Sequence, residues 1–127
     1  MAAGWVWVRA DAILAVHEEQ LAQHGGGVGV RDLGLLESAL ARPENLAAYG
    51  DPDLADLAAA YAFGIARNHP FVDGNKRTAA VAALLFLWAN GAETDIGEAE
   101  LVTAILSLAA GELAEDQLAA WLRERIA

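Results

Sequence analysis

Apolar positions recur at helical spacing along most of this chain, and glycine, proline or short polar stretches separate the periodic segments. The pattern predicts six helices, over 11–24, 31–41, 53–68, 76–88, a segment that follows Asp95 and ends near Gly111, and 114–125. Residues 5–8 alternate Trp and Val, which predicts a short strand or an extended N-terminal arm. The pattern as a whole indicates an all-α protein.

Two features of the pattern set the expected arrangement of these helices. Pro43 follows the second periodic segment, so we expect that helix to end there and a polar connection to run over 43–52. The segment 76–88 is apolar on nearly every face, which is typical of a helix at the buried centre of a bundle. We therefore expect one domain over 1–127, with about six helices around that buried central helix.

Composition narrows the class of protein further. Of the 127 residues 56% are hydrophobic, none is cysteine, and the formal net charge is -10. The absence of thiols excludes disulfides and thiolate metal sites, and favours a reducing compartment. The acidity argues against a nucleic-acid surface, and the longest apolar run, of about twelve residues, is too short to span a bilayer. Because the N-terminus lacks a secretory leader, we expect a cytoplasmic protein. The acidity and the short apolar runs lead us to expect that it binds neither nucleic acid nor a membrane.

Several short motifs do not predict a site. The run 25–30 is rich in glycine, but it lacks the spacing of a dinucleotide-binding turn and no strand precedes it. His17 and His24 lie about two helical turns apart without further ligands nearby, so we expect exposed or capping residues rather than metal ligands. Positions in the core or at a partner contact are expected for the four tryptophans, Trp5, Trp7, Trp88 and Trp121.

The densest group of chemically active side chains lies in residues 69–77, which read His-Pro-Phe-Val-Asp-Gly-Asn-Lys-Arg. A tight turn with Asn75 as N-cap would account for Asp73, Gly74 and Asn75. Such a turn would not account for His69. Nor would it account for Lys76 and Arg77, two of the eight Lys and Arg residues, because the helix dipole disfavours cations in a first helical turn. A bound anion would reverse that preference, so the pattern indicates a phosphate site.

These residue types are the components of phosphoryl or nucleotidyl transfer. His69 can accept a proton from a substrate hydroxyl at neutral pH, and Asp73 offers the oxygen ligand that Mg²⁺ prefers beside phosphates. Asn75, the first-turn N–H groups and the two cations that follow are candidates to hold phosphate oxygens. Phe71 is expected to anchor the loop on the core.

The same nine residues strongly resemble the motif of the Fic/Doc superfamily, which in most members reads His-x-Phe-x-Asp/Glu-Gly-Asn-Gly-Arg. This chain has Lys76 in place of the last Gly, which marks the Doc branch, and Ala80 in place of a further Arg. The segment 31–43 looks like the second helix of that branch, and the likeness extends over nearly the whole chain. The resemblance implies the compact all-α Fic fold, with the loop between two central helices.

The resemblance also implies roles for individual residues. His69 would be the base that activates a hydroxyl on a target protein, and Asp73 would bind Mg²⁺. The segment 44–51 would correspond to the flap that docks the target backbone. The nucleotide phosphates would be held by four residues of the loop and helix start, Gly74, Asn75, Lys76 and Arg77.

Fic adenylyltransferases use the open Gly and the second Arg to seat the distal phosphates of ATP. Because Lys76 and Ala80 remove both features, the resemblance implies a Doc-like protein kinase that moves the γ-phosphate of ATP to a threonine of elongation factor Tu. It also implies a toxin held silent by a Phd-like antitoxin, whose C-terminal segment docks in a groove. The nearest match to an internal inhibitory helix, 94–99, is expected to be a helix cap. An adenylyltransferase and a non-catalytic Fic-fold binding module are the alternatives.

Overall fold

The structure, a computed structural model, describes residues 4–126, and helices account for most of that length. In chain order they are α1 (Ala10–His24), α2 (Leu33–Tyr49), α3 (Leu54–Asn68), α4 (Asn75–Ala89), α5 (Glu98–Ala109) and α6 (Glu115–Arg123). Within 4–126 no strand forms, and the β contacts are two isolated bridges, Val30 with Phe71 and Thr94 with Ile126. The predicted all-α class with six helices is confirmed. No helix in the described part of the chain combines the length and apolar character needed to cross a membrane.

The centre of the bundle is α3, with α4 packed along it. α3 packs against α2, α4, α5 and α6, whereas α4 packs against α1, α3 and α5. Small side chains let the neighbours of α3 approach closely, and its buried alanines are Ala55, Ala58, Ala59, Ala60, Ala62 and Ala66. α4 is largely buried, as predicted for 76–88, and together with α3 it forms a central pair of helices that holds the loop 69–74 between them.

α2 continues through Pro43 to Tyr49, so the predicted helix end at Pro43 and the polar connection over 43–52 are wrong. Pro43 lacks the N–H that would bond to the carbonyl of Ala39. That carbonyl lies against α3 instead, where a Cβ added to Gly64 would be 3.0 Å from the Ala39 oxygen. Because Pro43 is itself buried, packing of α2 on α3 stabilises a helix that the local sequence would interrupt.

Residues 5–8 form an extended arm rather than a strand. The Trp5 and Trp7 rings pack on Phe86 of α4, with centroids 6.1 and 5.9 Å from the Phe86 ring. The Val6 N–H donates to the Asn90 side chain at 2.8 Å, which ties the arm to the end of α4. These two tryptophans therefore pack against the core, as expected.

The start of α5 differs from its prediction. The N-cap residue Gly97 lies within 94–99, so this segment is at the helix start as expected, but no side chain caps the helix. The Thr94 hydroxyl instead accepts from the Trp88 indole N–H at 3.3 Å, and the bridge to Ile126 extends this segment. The segment before α5 is thus held by contacts with Trp88 and Ile126.

Candidate active site

The loop between α3 and α4 turns sharply at His69, the residue predicted to be the base. α3 ends at Asn68, and His69 takes a left-handed backbone conformation with φ 51° and ψ 55°. Within residues 4–126 it is the only non-glycine residue with a positive φ. Such a conformation costs an L-residue about 1–2 kcal/mol, so neighbouring contacts must hold it. As a result His69 is exposed at the surface of the bundle.

Asn75 braces the loop from inside. It is the first residue of α4, after the N-cap residue Gly74, so the alternative with Asn75 as N-cap is wrong. Its side-chain oxygen accepts from the Phe71 N–H at 3.0 Å, and its amide donates to the Phe71 carbonyl, also at 3.0 Å. The same amide nitrogen lies 3.4 Å from His69 Nδ1. The buried side chain of Asn75 therefore shapes the loop, and its direct contact with phosphate stays a prediction.

Phe71 anchors the loop, as expected, and His17 of α1 supports it. Phe71 is 1% exposed, and the His17 ring stacks on it with a centroid distance of 3.8 Å. His17 Nε2 lies 2.8 Å from the backbone oxygen of Asp73, and because a carbonyl only accepts, this nitrogen carries the proton and donates. The prediction that His17 is exposed or capping is wrong, whereas His24 is exposed.

The first turn of α4 presents positive charge to a cavity of about 290 Å³. Lys76 and Arg77 line this cavity with His69 and Asp73, and Val102 and Leu106 of α5 form its apolar wall. The turn holds no acidic residue, and no carboxylate of residues 4–126 lies within ion-pair distance of either cation. The first N–H groups of a helix also lack intrahelical partners. The structure thus brings the predicted phosphate-binding residues together around one cationic cavity.

Asp73 is the predicted Mg²⁺ ligand, and its carboxylate is exposed beside the start of α4. One oxygen accepts from the Gly74 N–H at 2.8 Å, and the other from the Gly27 N–H at 3.4 Å. Among the described residues no three His, Cys, Asp or Glu side chains gather as a metal site. Mg²⁺ commonly binds through one or two carboxylates, substrate phosphates and water. A single carboxylate beside a cationic cavity therefore fits an ion that arrives with a nucleotide.

The glycine-rich segment 25–31 borders this loop, which the sequence pattern did not indicate. Val30 pairs with Phe71 in an isolated bridge. The approach is close, because a Cβ added to Gly26 would lie 2.8 Å from the Asp73 carboxylate. Glycine is thus needed at position 26 by the tertiary contact, and no local turn motif would have revealed it.

Two segments lie in other elements than predicted. Arg31 precedes α2, whose N-cap residue is Asp32, so the predicted helix over 31–41 begins later than expected. The predicted flap, 44–51, belongs to α2 as far as Tyr49 and is not a loop. The loop that contacts the predicted catalytic residues is 25–31 instead.

Position 80, where the family resemblance led us to expect an arginine in adenylyltransferases, is occupied by a side chain that cannot reach phosphate. Ala80 is fully buried on α4, so no second cation enters from this position. Lys76, by contrast, lines the cavity. The cationic wall of the cavity therefore depends on the two neighbours Lys76 and Arg77.

Comparison with known proteins identifies the family of this chain. A model of the Fic/DOC family matches residues 7–87, which include the whole loop, and the chain belongs to this family. It is 34% identical over 117 residues to the protein kinase doc of Escherichia phage P1, a match that covers 91% of this chain and 92% of the relative. It is 51% identical over 83 residues to the toxin Doc of Mycolicibacterium smegmatis, covering 60% of this chain and 63% of that protein. The predicted membership of the Doc branch is confirmed.

Proposed function

We propose that this chain is a Doc-like toxin that acts as a protein kinase, moving the γ-phosphate of ATP to a Ser or Thr hydroxyl of a translation factor. One observation carries the proposal: the exposed residue His69 lies at the edge of a cavity that also presents Lys76, Arg77 and a helix N-terminus. Phosphates in the cavity and a hydroxyl at His69 would be neighbours positioned for transfer. The names of the two relatives, a protein kinase and a toxin, support the same activity.

The proposed reaction assigns each group one task. His69 accepts the proton of the target hydroxyl while the hydroxyl oxygen bonds to the γ-phosphorus. The bond from this phosphorus to the oxygen bridging the β-phosphate breaks, and ADP leaves with that oxygen. Lys76, Arg77 and the first-turn N–H groups of α4 stabilise the charge that moves towards the β-phosphate. Mg²⁺ that accompanies the nucleotide beside Asp73 would supply further charge neutralisation.

The residues at positions 76 and 80 favour transfer of the terminal phosphate. The family resemblance implies that adenylyltransferases seat the distal phosphates with an open glycine and a second arginine. Here Lys76 lines the cavity, and Ala80 is buried without a charge. Both differences support a nucleotide bound with its γ-phosphate nearest to His69.

The test is phosphate transfer to a purified candidate target, with elongation factor Tu as the first choice. ATP labelled at the γ-position should label the target, and His69→Ala should slow this transfer at least about a hundredfold because the general base is lost. His24→Ala is the matched control, since His24 is an exposed histidine outside the loop. It should transfer phosphate at the wild-type rate.

Two other results would replace the proposal. Label from the α-position would identify an adenylyltransferase that tolerates Lys76. Growth arrest on expression that His69→Ala leaves unchanged, without label from either position, would identify a binding module that needs no catalysis.

The proposal extends to the partners of this chain in the cytoplasm. We propose that a Phd-like antitoxin silences it with a C-terminal segment, which the name of the relative toxin Doc supports. A groove of about 480 Å³ between α2 and α3 offers a surface, where Tyr49 is 91% exposed and Leu46 lies beside it. Co-expression of the product of the adjacent upstream gene should relieve growth arrest, and Tyr49→Ala should weaken the relief. Arrest that continues unchanged would contradict this part.

A further inference from the structure

Arg31 contacts three consecutive backbone carbonyls of the loop that carries the base. Its Nη2 donates to the Asn68 oxygen at 2.9 Å, and its Nε donates to the His69 oxygen at 2.7 Å. Its own backbone N–H donates to the Pro70 oxygen at 2.7 Å. Arg31 thus bonds to the last residue of α3, to the left-handed residue His69 and to Pro70.

The charge of Arg31 is directed at backbone rather than at an acidic side chain. Among residues 4–126 no carboxylate lies within ion-pair distance of its guanidinium. The carbonyls at the end of α3 carry the negative end of the helix dipole, which a cation complements. The planar guanidinium has several donors in fixed geometry and can bond two carbonyls at once, which a lysine ammonium does less well.

The other side chains that hold the loop bond to different atoms, and the Asn75 amide nitrogen lies 3.4 Å from His69 Nδ1. Asn75 bonds to the backbone of Phe71, and His17 bonds to the carbonyl of Asp73. In the described part of the chain the His69 carbonyl accepts a hydrogen bond from Arg31 alone. Within residues 4–126, Arg31 is therefore the one side chain that bonds to the backbone of the strained residue.

We propose that Arg31 is a positioning residue, which fixes the left-handed backbone of His69 and so aims the imidazole at the target hydroxyl. The inference rests on the proposed role of His69 as the base. Without the guanidinium, residue 69 can relax to the right-handed or extended conformations that L-residues favour. The ring would then point elsewhere, and a misplacement of about 1 Å can slow a reaction about a hundredfold.

The main test compares three variants in the phosphate-transfer assay. Arg31→Met should lower kcat about a hundredfold and leave KM for ATP within about threefold, because the cation cavity stays intact. Arg31→Lys should recover part of kcat, since an ammonium can still donate to one carbonyl. Arg67→Met is the matched control and should keep the wild-type kcat. Arg67 lies in the last turn of the same helix, and its guanidinium rests over the Phe63 ring at 5.3 Å instead of bonding to the loop.

A second measurement tests the backbone directly and needs no activity. The carbonyl carbon shifts of Asn68 and His69, measured by NMR in the full chain, should lose their left-handed pattern in Arg31→Met and keep it in Arg67→Met. Unchanged shifts, or a wild-type kcat in Arg31→Met, would overturn the proposal. So would a joint loss of kcat, nucleotide binding and helix content, which indicates a general structural role. If the wild type transfers no phosphate, the proposed function fails, while the shifts still report whether Arg31 holds the turn.

Discussion

Two helix N-termini of this bundle carry opposite chemistry. At the start of α3, the Asp53 carboxylate accepts from the Asp56 N–H at 2.9 Å, and the Asp56 carboxylate accepts from the Asp53 N–H at 3.0 Å. Arg123 of α6 pairs with both carboxylates, at 2.7 and 3.0 Å. At the start of α4, the N-cap residue Gly74 offers no side chain, and two cations follow it in the first turn. The dipole of a helix favours the first arrangement and disfavours the second.

The contrast separates a structural helix end from one that is open to a ligand. At α3 the side-chain hydrogen bond from Arg123 is the largest cause that lowers the pKa of Asp53 to about 2, and the same contact raises the pKa of Arg123. At α4 each cation opposes the dipole by roughly 0.3–1 kcal/mol, a cost that a bound phosphate would reverse. Substitutions at the start of α3 should therefore change the free energy of unfolding but not nucleotide binding. Substitutions at the start of α4 should weaken nucleotide binding without lowering the free energy of unfolding.

The largest effect is expected at α4, on nucleotide binding. The double variant Lys76→Gln with Arg77→Gln should weaken binding of magnesium ATP by at least about tenfold, because charged hydrogen bonds to phosphate are lost. Its free energy of unfolding without nucleotide should not fall, since both cations oppose the dipole. Calorimetry and urea unfolding measure the two quantities. If the double variant bound magnesium ATP as tightly as the wild type, the start of α4 would not differ from the start of α3 as a ligand site.

A smaller effect of the opposite kind is expected at α3. Asp53→Ala should lower the free energy of unfolding by about 1 kcal/mol, as the loss of an N-cap does, and should leave the affinity for magnesium ATP unchanged. Asp51→Ala is a suitable control, because Asp51 is an exposed carboxylate just before the cap. Urea unfolding of both variants gives the comparison. Loss of nucleotide binding in Asp53→Ala would show that the two helix ends are not independent.

The smallest effect concerns acid stability. The pKa of Asp53 is lowered from 3.8 to about 2, so its ionised form stabilises the fold above pH 3.8 and this contribution is lost as the pH falls towards 2. Arg123→Gln removes the main cause of the shift, and stability should then fall less steeply over that interval. Because the pair is about half exposed, salt should also weaken the effect. An unchanged slope in urea unfolding between these pH values would contradict this assignment.

Local features of the sequence predicted α3 and α4 well. The predicted span 53–68 differs from Leu54–Asn68 by one residue at its start, and 76–88 differs from Asn75–Ala89 by one residue at each end. The match is close because caps and breakers lie next to the helices they limit. Pro43 was misleading because burial against α3 compensates for the bond that proline lacks. The N-terminus of α5 was also mispredicted, since the segment before it pairs with Ile126 near the far end of the chain.

The sequence by itself determined the candidate reacting groups of the proposed site, because His69, Asp73, Lys76 and Arg77 lie within one short loop and helix start. It did not determine how they are held. Arg31 reaches the loop across 38 residues of sequence, and His17 bonds to Asp73 across 56. Hydrogen bonds are directional, so the position of the base depends on side chains that only the folded bundle brings near it. The proposed chemistry of this protein is therefore local in sequence, whereas the geometry of the site is a property of the tertiary structure.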